Sequence, residues 1–152
     1  MFEKRITNKI KKFTEEFFKR ASFDVQVTVE EIVDSTVRIS INLSEPQVLI
    51  GENGKTLGHV QHILSKVIKK KIDKDLFVDL DINDYKAKKI SYLKELAKSY
   101  ADDVALTGQP KEFRPMSGYE RRIIHLELQD RTDVLTESAG QDPDRKIVVK
   151  PA

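Results

Sequence analysis

The sequence predicts an α+β fold in two small domains. Residues 1–83 carry the order α-β-β-α-α-β, and residues 84–152 carry a second, smaller α+β set. Three observations predict this. Apolar residues recur every three or four positions in the first twenty residues, which is a helical period. They then alternate at every second position in three separate runs before residue 83, which is a strand period. From Asp84 the spacing turns helical again, with no Gly/Ser/Pro-rich spacer at the change. A length of 152 residues suits one domain or two small ones, and 39% apolar residues suffice for a core.

Phe2, Ile6, Ile10, Phe13 and Phe17 form one face of an amphipathic helix over roughly 2–20. Val25, Val27 and Val29 alternate with polar residues, as do Val37, Ile39, Ile41 and Leu43, giving two half-buried strands. Asp34-Ser35 between them is turn chemistry, so the pair is expected to be a hairpin. Pro46 suits the first turn of a short helix that runs to Ile50. Gly51 and Gly54 bracket a tight connection. A second helix then places Leu57, Val60, Leu64, Val67 and Ile68 inward. Leu76, Val78, Leu80 and Ile82 give a third strand. Beyond Asp84, Ile90, Leu93, Ala97, Tyr100, Ala101 and Val104 form the stripe of a long helix, which Gly108 and Pro110 end. Lys111–Met116 is a short strand candidate. Ser117-Gly118-Tyr119-Glu120 has the form of a capping box that opens a helix of about ten residues. Val134–Ser138 and Lys146–Lys150 are expected to pair around a Gly/Asp/Pro-containing loop.

Composition narrows the function. The absence of cysteine removes disulfides, thiol nucleophiles and cysteine zinc sites. No apolar run approaches the roughly 20 residues that cross a bilayer, and the opening segment has no continuous apolar stretch. Neither membrane insertion nor a secretory signal is expected, and a cytoplasmic chain is. Net charge is only +2, but its distribution is uneven. Residues 1–20 hold seven Lys/Arg against three Glu, and Lys66, Lys69, Lys70 and Lys71 cluster. Lys86, Lys88, Lys89, Lys94 and Lys98 face only Glu95 in their stretch. Such runs are either solvated helix faces or a basic face for a polyanion.

Two constellations carry the chemistry. In the first, Gly51-Glu52-Asn53-Gly54-Lys55 sits between two helices. Glycines three apart admit unusual φ values and leave no Cβ in the way of an approaching backbone. Gly54 opens a helix whose free N–H groups attract phosphate, and Lys55 adds a positive charge. Any tight helix–helix turn can also use such a pair. In the second, Arg121 and His125 lie four apart on one helix face. Arg offers a planar fork for phosphate, and His donates or stacks. The bland alternative is a solvent-facing Arg beside a partly buried His bonded to backbone.

The GxxG loop, preceded by Val48-Leu49-Ile50 and followed by Lys55-Thr56-Leu57, resembles that of a KH domain, whose loop clamps single-stranded RNA backbone. The helix-first order resembles the type II form. Family loops commonly carry basic residues between the glycines, whereas Glu52-Asn53 stand there here. Glu120-Arg121-Arg122-Ile123-Ile124-His125, with Thr136-Glu137-Ser138-x-Gly140, resembles the domain named for its Arg-x3-His motif, associated with single-stranded nucleic acid. The pairing of the two is similar to the bacterial Jag family, also called KhpB or SpoIIIJ-associated.

That resemblance implies a non-enzymatic protein that binds single-stranded RNA, with single-stranded DNA as an alternative. Gly51, Glu52, Asn53, Gly54, Lys55, Arg121 and His125 would make the contacts, with Arg122, Arg145 and Lys146 as further ones. It also implies a role in RNA regulation linked to cell elongation and division, and a small single-KH-domain protein as partner. Many members carry an additional N-terminal Jag-N domain, which no segment here is expected to encode. Arg121 is expected on an exposed helix surface, where alanine would be tolerated.

Other candidates are weaker. His59 and His62 are three apart but lack a third ligand, and Asp79 and Asp81 read as the wet face of a sheet. No nucleophile elbow or Walker loop is present, so no catalytic residue, metal or cofactor is expected.

Overall fold

The computed structural model describes residues 2–152, without the side chain of Phe2. The position expected for Phe2 on the first helix's inner face therefore lies outside the described residues. The chain divides into two compact units, Met1–Lys86 and Ala87–Ala152. Among the described residues, no helix is long and apolar enough to cross a membrane.

The first unit has the expected element order. Helix α1 (Phe2–Arg20) is followed by strands β1 (Gln26–Val29) and β2 (Thr36–Asn42), helices α2 (Gln47–Ile50) and α3 (Lys55–Lys71), and strand β3 (Phe77–Ile82). The strands form a mixed sheet in the order β1-β2-β3, with β1 antiparallel and β3 parallel to β2. Val37, Ile39 and Ile41 of β2 are fully buried, while Arg38 and Asn42 are exposed. One sheet face is therefore dry and carries the helices, as the period-two pattern requires. Asp34 and Ser35 both take positive φ, and Val33 and Thr36 exchange backbone hydrogen bonds across them. That is the left-handed two-residue turn whose twist suits a hairpin. The buried side of α1 is wider than its periodicity implied. Thr14 and Phe18 are also buried, and the Thr14 hydroxyl is satisfied by the Ile10 carbonyl at 2.8 Å.

Helix α4 (Tyr85–Thr107) starts in the first unit and supplies the first helix of the second. Strand β4 (Lys111–Glu112), helix α5 (Gly118–Leu128) and strands β5 (Val134–Ala139) and β6 (Lys146–Pro151) complete the chain. Their sheet is antiparallel in the order β4-β6-β5. Leu93, Ala97, Ala101 and Val104 of α4 pack with Phe113, Ile124, Leu128, Val134, Ile147 and Val149. The strand expected over Lys111–Met116 is only two residues long. Phe113 and Met116 still donate to Ile147 and Arg145, but Pro115 has no N–H and interrupts the ladder.

The basic run along α4 is not a free basic face. Lys86 pairs with Asp79, Lys89 with Glu120 at 3.4 Å, and Lys94 and Lys98 with Glu127 at 3.6 and 3.1 Å. Asp79 of β3, and Glu120 and Glu127 of α5 that lie far off in sequence, neutralise four of its five lysines. This is why the local count misled.

Candidate nucleic-acid interface

The Gly51–Lys55 loop is built by two glycines that no other residue can replace without strain. Gly51 has φ 71 and ψ −177, and Gly54 has φ 78 and ψ 13. A Cβ on Gly51 would stand 2.7 Å from the Thr56 Cβ and 3.0 Å from its backbone nitrogen. A Cβ on Gly54 would stand 2.9 Å from the Tyr85 ring. Tyr85 thus backs the loop, a contact that sequence reasoning missed because it comes from the first residue of α4. Asn53 also takes positive φ, at 53, a conformation Asn tolerates better than most residues. Glu52, Asn53 and Lys55 are exposed, and Glu52 and Lys55 have no ion-pair partner among the described residues. Gly54 caps α3 without a side chain, so the first-turn amides of a 17-residue helix have no side-chain acceptor. The helix therefore presents open donors and a positive end beside Lys55.

The second site is organised by α5 and β5. Ser117 accepts from the Glu120 backbone, and the Glu120 carboxylate accepts from the Ser117 N–H at 2.8 Å, closing the expected capping box. Burial pushes the Glu120 carboxyl up. The Ser117 hydrogen bonds and Lys89 outweigh it and hold the group below its ordinary range. Glu120 is therefore ionised and fully engaged away from Arg121.

Arg121 is only 9% exposed, which corrects the expectation of a surface arginine. It stacks inward because Ile124 and Leu128, three and seven residues on, share its helix face and are buried. Its Nη1 is buried without a hydrogen-bond partner, and it forms no ion pair among the described residues. Its Nη2 lies near Gly118, 3.3 Å from where a Cβ would stand, at the first turn of α5. A guanidinium beside the positive end of a helix, with no counter-ion, is a site of unneutralised positive charge.

His125, one turn along, is half-buried and its Nδ1 lies 2.7 Å from the Thr136 Oγ1. Arg145 donates from Nε to the Ser138 Oγ at 3.2 Å. Thr136 and Ser138 are two apart on β5 and face the same side. They hold His125 and Arg145 respectively, roles that the sequence signalled only through that spacing. Arg122 is exposed. Lys146 is ion-paired with Glu112 on the neighbouring strand, so it is not a free cation. The structure thus brings Arg121 and His125 onto one α5 face, with Thr136 and Ser138 behind them, and sets Arg122 and Lys146 apart from that cluster. Asp79 and Asp81, the paired carboxylates, are committed elsewhere. Asp79 pairs with Arg38 and Lys86, and Asp81 accepts from the Ile82 and Lys86 backbone.

Residues 91–151 match the Arg-x3-His domain family, which spans the whole second site. Along nearly its full length the chain is similar to an RNA-binding protein KhpB of Clostridium symbiosum, at 31% identity over 95% of this chain and 65% of the relative. The chain resembles the KhpB proteins over nearly its whole length. It is also 33% identical to the RNA-binding protein KhpB of Lactiplantibacillus plantarum over 73% of this chain and 34% of the relative. The corresponding figures for the Bacillus subtilis KhpB are 30%, 81% and 60%. The chain therefore spans about two thirds or less of the length of these KhpB relatives.

In this chain His125 carries a pH signature. Burial first, and then the Arg121 charge, hold its pKa below the ordinary value of about 6.5. The folded state favours neutral His125, so its contribution to stability is present above about pH 6.5 and is lost as the pH falls through the lower folded value. Thermal unfolding of the natural chain is expected to weaken more between pH 7.5 and 5.5 than that of His125→Gln. Parallel curves for the two would remove His125 from the acid response.

Proposed function

We propose that the chain binds single-stranded RNA at two places, the Gly51–Lys55 loop of a KH-like unit and the Arg121/His125 face of the Arg-x3-His domain. The observation that carries this reading is the Arg121 guanidinium, buried, without a counter-ion among the described residues, and with an unsatisfied Nη1. An isolated buried charge is costly, and an incoming phosphate supplies the missing acceptor and the opposite charge. His125 beside it serves as a neutral hydrogen-bonding partner at pH 7 and becomes a cation next to bound phosphate. At the loop, the open amides of α3 and Lys55 suit a backbone phosphate, and the absence of side chains at Gly51 and Gly54 lets the strand approach. The names of the KhpB relatives support RNA as the ligand. A cytoplasmic role in RNA regulation tied to cell elongation and division, and a small single-KH-domain partner, belong to the same proposal.

Glu52 supports a second reading. Its exposed carboxylate stands where a phosphate would pass, which suits a loop that docks another protein and makes little RNA contact. One experiment separates the two. In the RNA reading, Glu52→Lys tightens binding to unstructured RNA and steepens the dependence of log K on log salt by about one unit. Unchanged affinity and slope would take the loop away from the RNA and leave the docking reading.

A further inference from the structure

All of the chain's positive excess resides on two helices. Helices α1 and α3 together carry twelve Lys and Arg against three Glu. The rest of the chain holds fifteen basic and twenty-two acidic residues, so it is net negative although the whole is +2. Both helices pack against the same core in the first unit, on the dry side of its sheet. The Lys71 ammonium lies 5.7 Å from the Phe13 ring centroid, which joins the last turn of α3 to α1. On several other elements basic side chains find acids across the fold, as Arg38 does with Asp79, Lys98 with Glu127 and Lys146 with Glu112. On α1, only Arg20 is ion-paired among the described residues, with Glu16 one turn before it on the same helix. Arg5, Lys12 and Lys19 are exposed at seven-residue spacing and so form a line along the outer side of α1. Lys66 and Lys70 are exposed on α3.

We propose that the outer side of α1 and the C-terminal turn of α3 form a second polyanion surface, which binds the phosphate backbone of nucleic acid without reading its sequence. The surface lies about 24 Å along α3 from the Gly51–Lys55 loop, so it takes a different stretch of a bound strand. Clustered like charges that find no acid repel one another, and counterion release on meeting phosphates offsets that repulsion. A membrane is the poorer match. The apolar side of α1 is occupied by the core, with Ile10 and Phe18 at 0 and 1% exposure, and no apolar side chain described on α1 is exposed to enter a bilayer. The inference goes beyond the two-site reading and rests only on its premise that the ligand is a nucleic acid.

The test uses the whole chain and the triple charge reversal Arg5→Glu, Lys12→Glu, Lys19→Glu. The corresponding triple glutamine variant is made in parallel, in case the reversal unfolds the helix. Binding is measured against an unstructured RNA of about 30 nucleotides and another of about five, across a salt series. The expected result is a tenfold or greater loss for the long RNA, a salt slope shallower by about two units, and little change for the short RNA. Equal long-RNA affinity and slope in the natural and substituted chains would overturn the proposal. So would a loss confined to phosphatidylserine vesicles, which would assign the surface to lipid. A loss confined to salt-sensitive self-association would overturn it too, and would assign the surface to the acidic side of a second copy. The two-site reading fails separately, if Glu52→Lys and Arg121→Met leave short-RNA binding untouched while the triple variant weakens the long RNA.

Discussion

Gly51→Ala is expected to destabilise the first unit by about 1–3 kcal/mol and to remove RNA binding at the loop. Gly51 combines φ 71 with ψ −177, a region that only glycine enters without large strain. Space is also lacking. The new methyl group would meet the Thr56 side chain and stand 3.0 Å from the Thr56 backbone nitrogen. Thr56 lies in the first turn of α3, so relief of the clash must tilt the amides that the proposed phosphate would use. Gly58 is the internal control. It lies on the next turn of α3 with nothing within 4 Å of where a methyl group would stand, and its φ is ordinary. Gly58→Ala is expected to stabilise the chain by up to about 1 kcal/mol, because alanine is the better helix former. Urea unfolding of the two variants decides the matter. Equal midpoints would mean that the loop relaxes freely, and the strain argument at Gly51 would fail.

The residues that were legible in the sequence are those whose signal is local. Alternation at Val37, Ile39 and Ile41 marked the central strand, since each second residue must face the core. Asp34-Ser35 marked its turn, and Ser117-x-x-Glu120 marked the start of α5, because turn and cap chemistry act within four residues. The GxxG loop was legible for the same reason. What remained hidden depends on neighbours brought in by folding. Lys89, Lys94 and Lys98 looked free because Glu120 and Glu127 lie more than 25 residues away in sequence. Tyr85 behind Gly54 and Thr136 beside His125 are likewise contacts across elements. Arg121 was misread because arginine is seldom buried alone, and a period-3.6 argument that treats it as polar assigns it to solvent. The deviation from that rule coincides with the candidate site, where unpaired burial is expected if a ligand completes the pairing.

Arg121→Met is expected to weaken binding to single-stranded RNA tenfold or more while leaving the fold at least as stable as before. Methionine keeps an unbranched apolar stem on the buried face that Arg121 shares with Ile124 and removes only the guanidinium. In the unbound chain that group is buried with no acid partner among the described residues and with Nη1 unsatisfied, so its loss relieves a desolvation cost. In the bound chain the same group would donate charge-assisted hydrogen bonds, each worth about 1.5–3 kcal/mol, and one such bond is a factor of ten or more in affinity. The two measurements move in opposite directions only if the guanidinium exists for a ligand. A structural arginine would lose stability on substitution, and an idle one would change neither quantity. Arg122→Met provides the contrast, since Arg122 is exposed on another side of α5 and is expected to cost RNA affinity less than Arg121. Thermal unfolding and RNA titration of both variants at pH 7 make the comparison. A marked fall in melting temperature for Arg121→Met, or undiminished RNA affinity, would exclude Arg121 as the phosphate-binding residue of the Arg-x3-His domain.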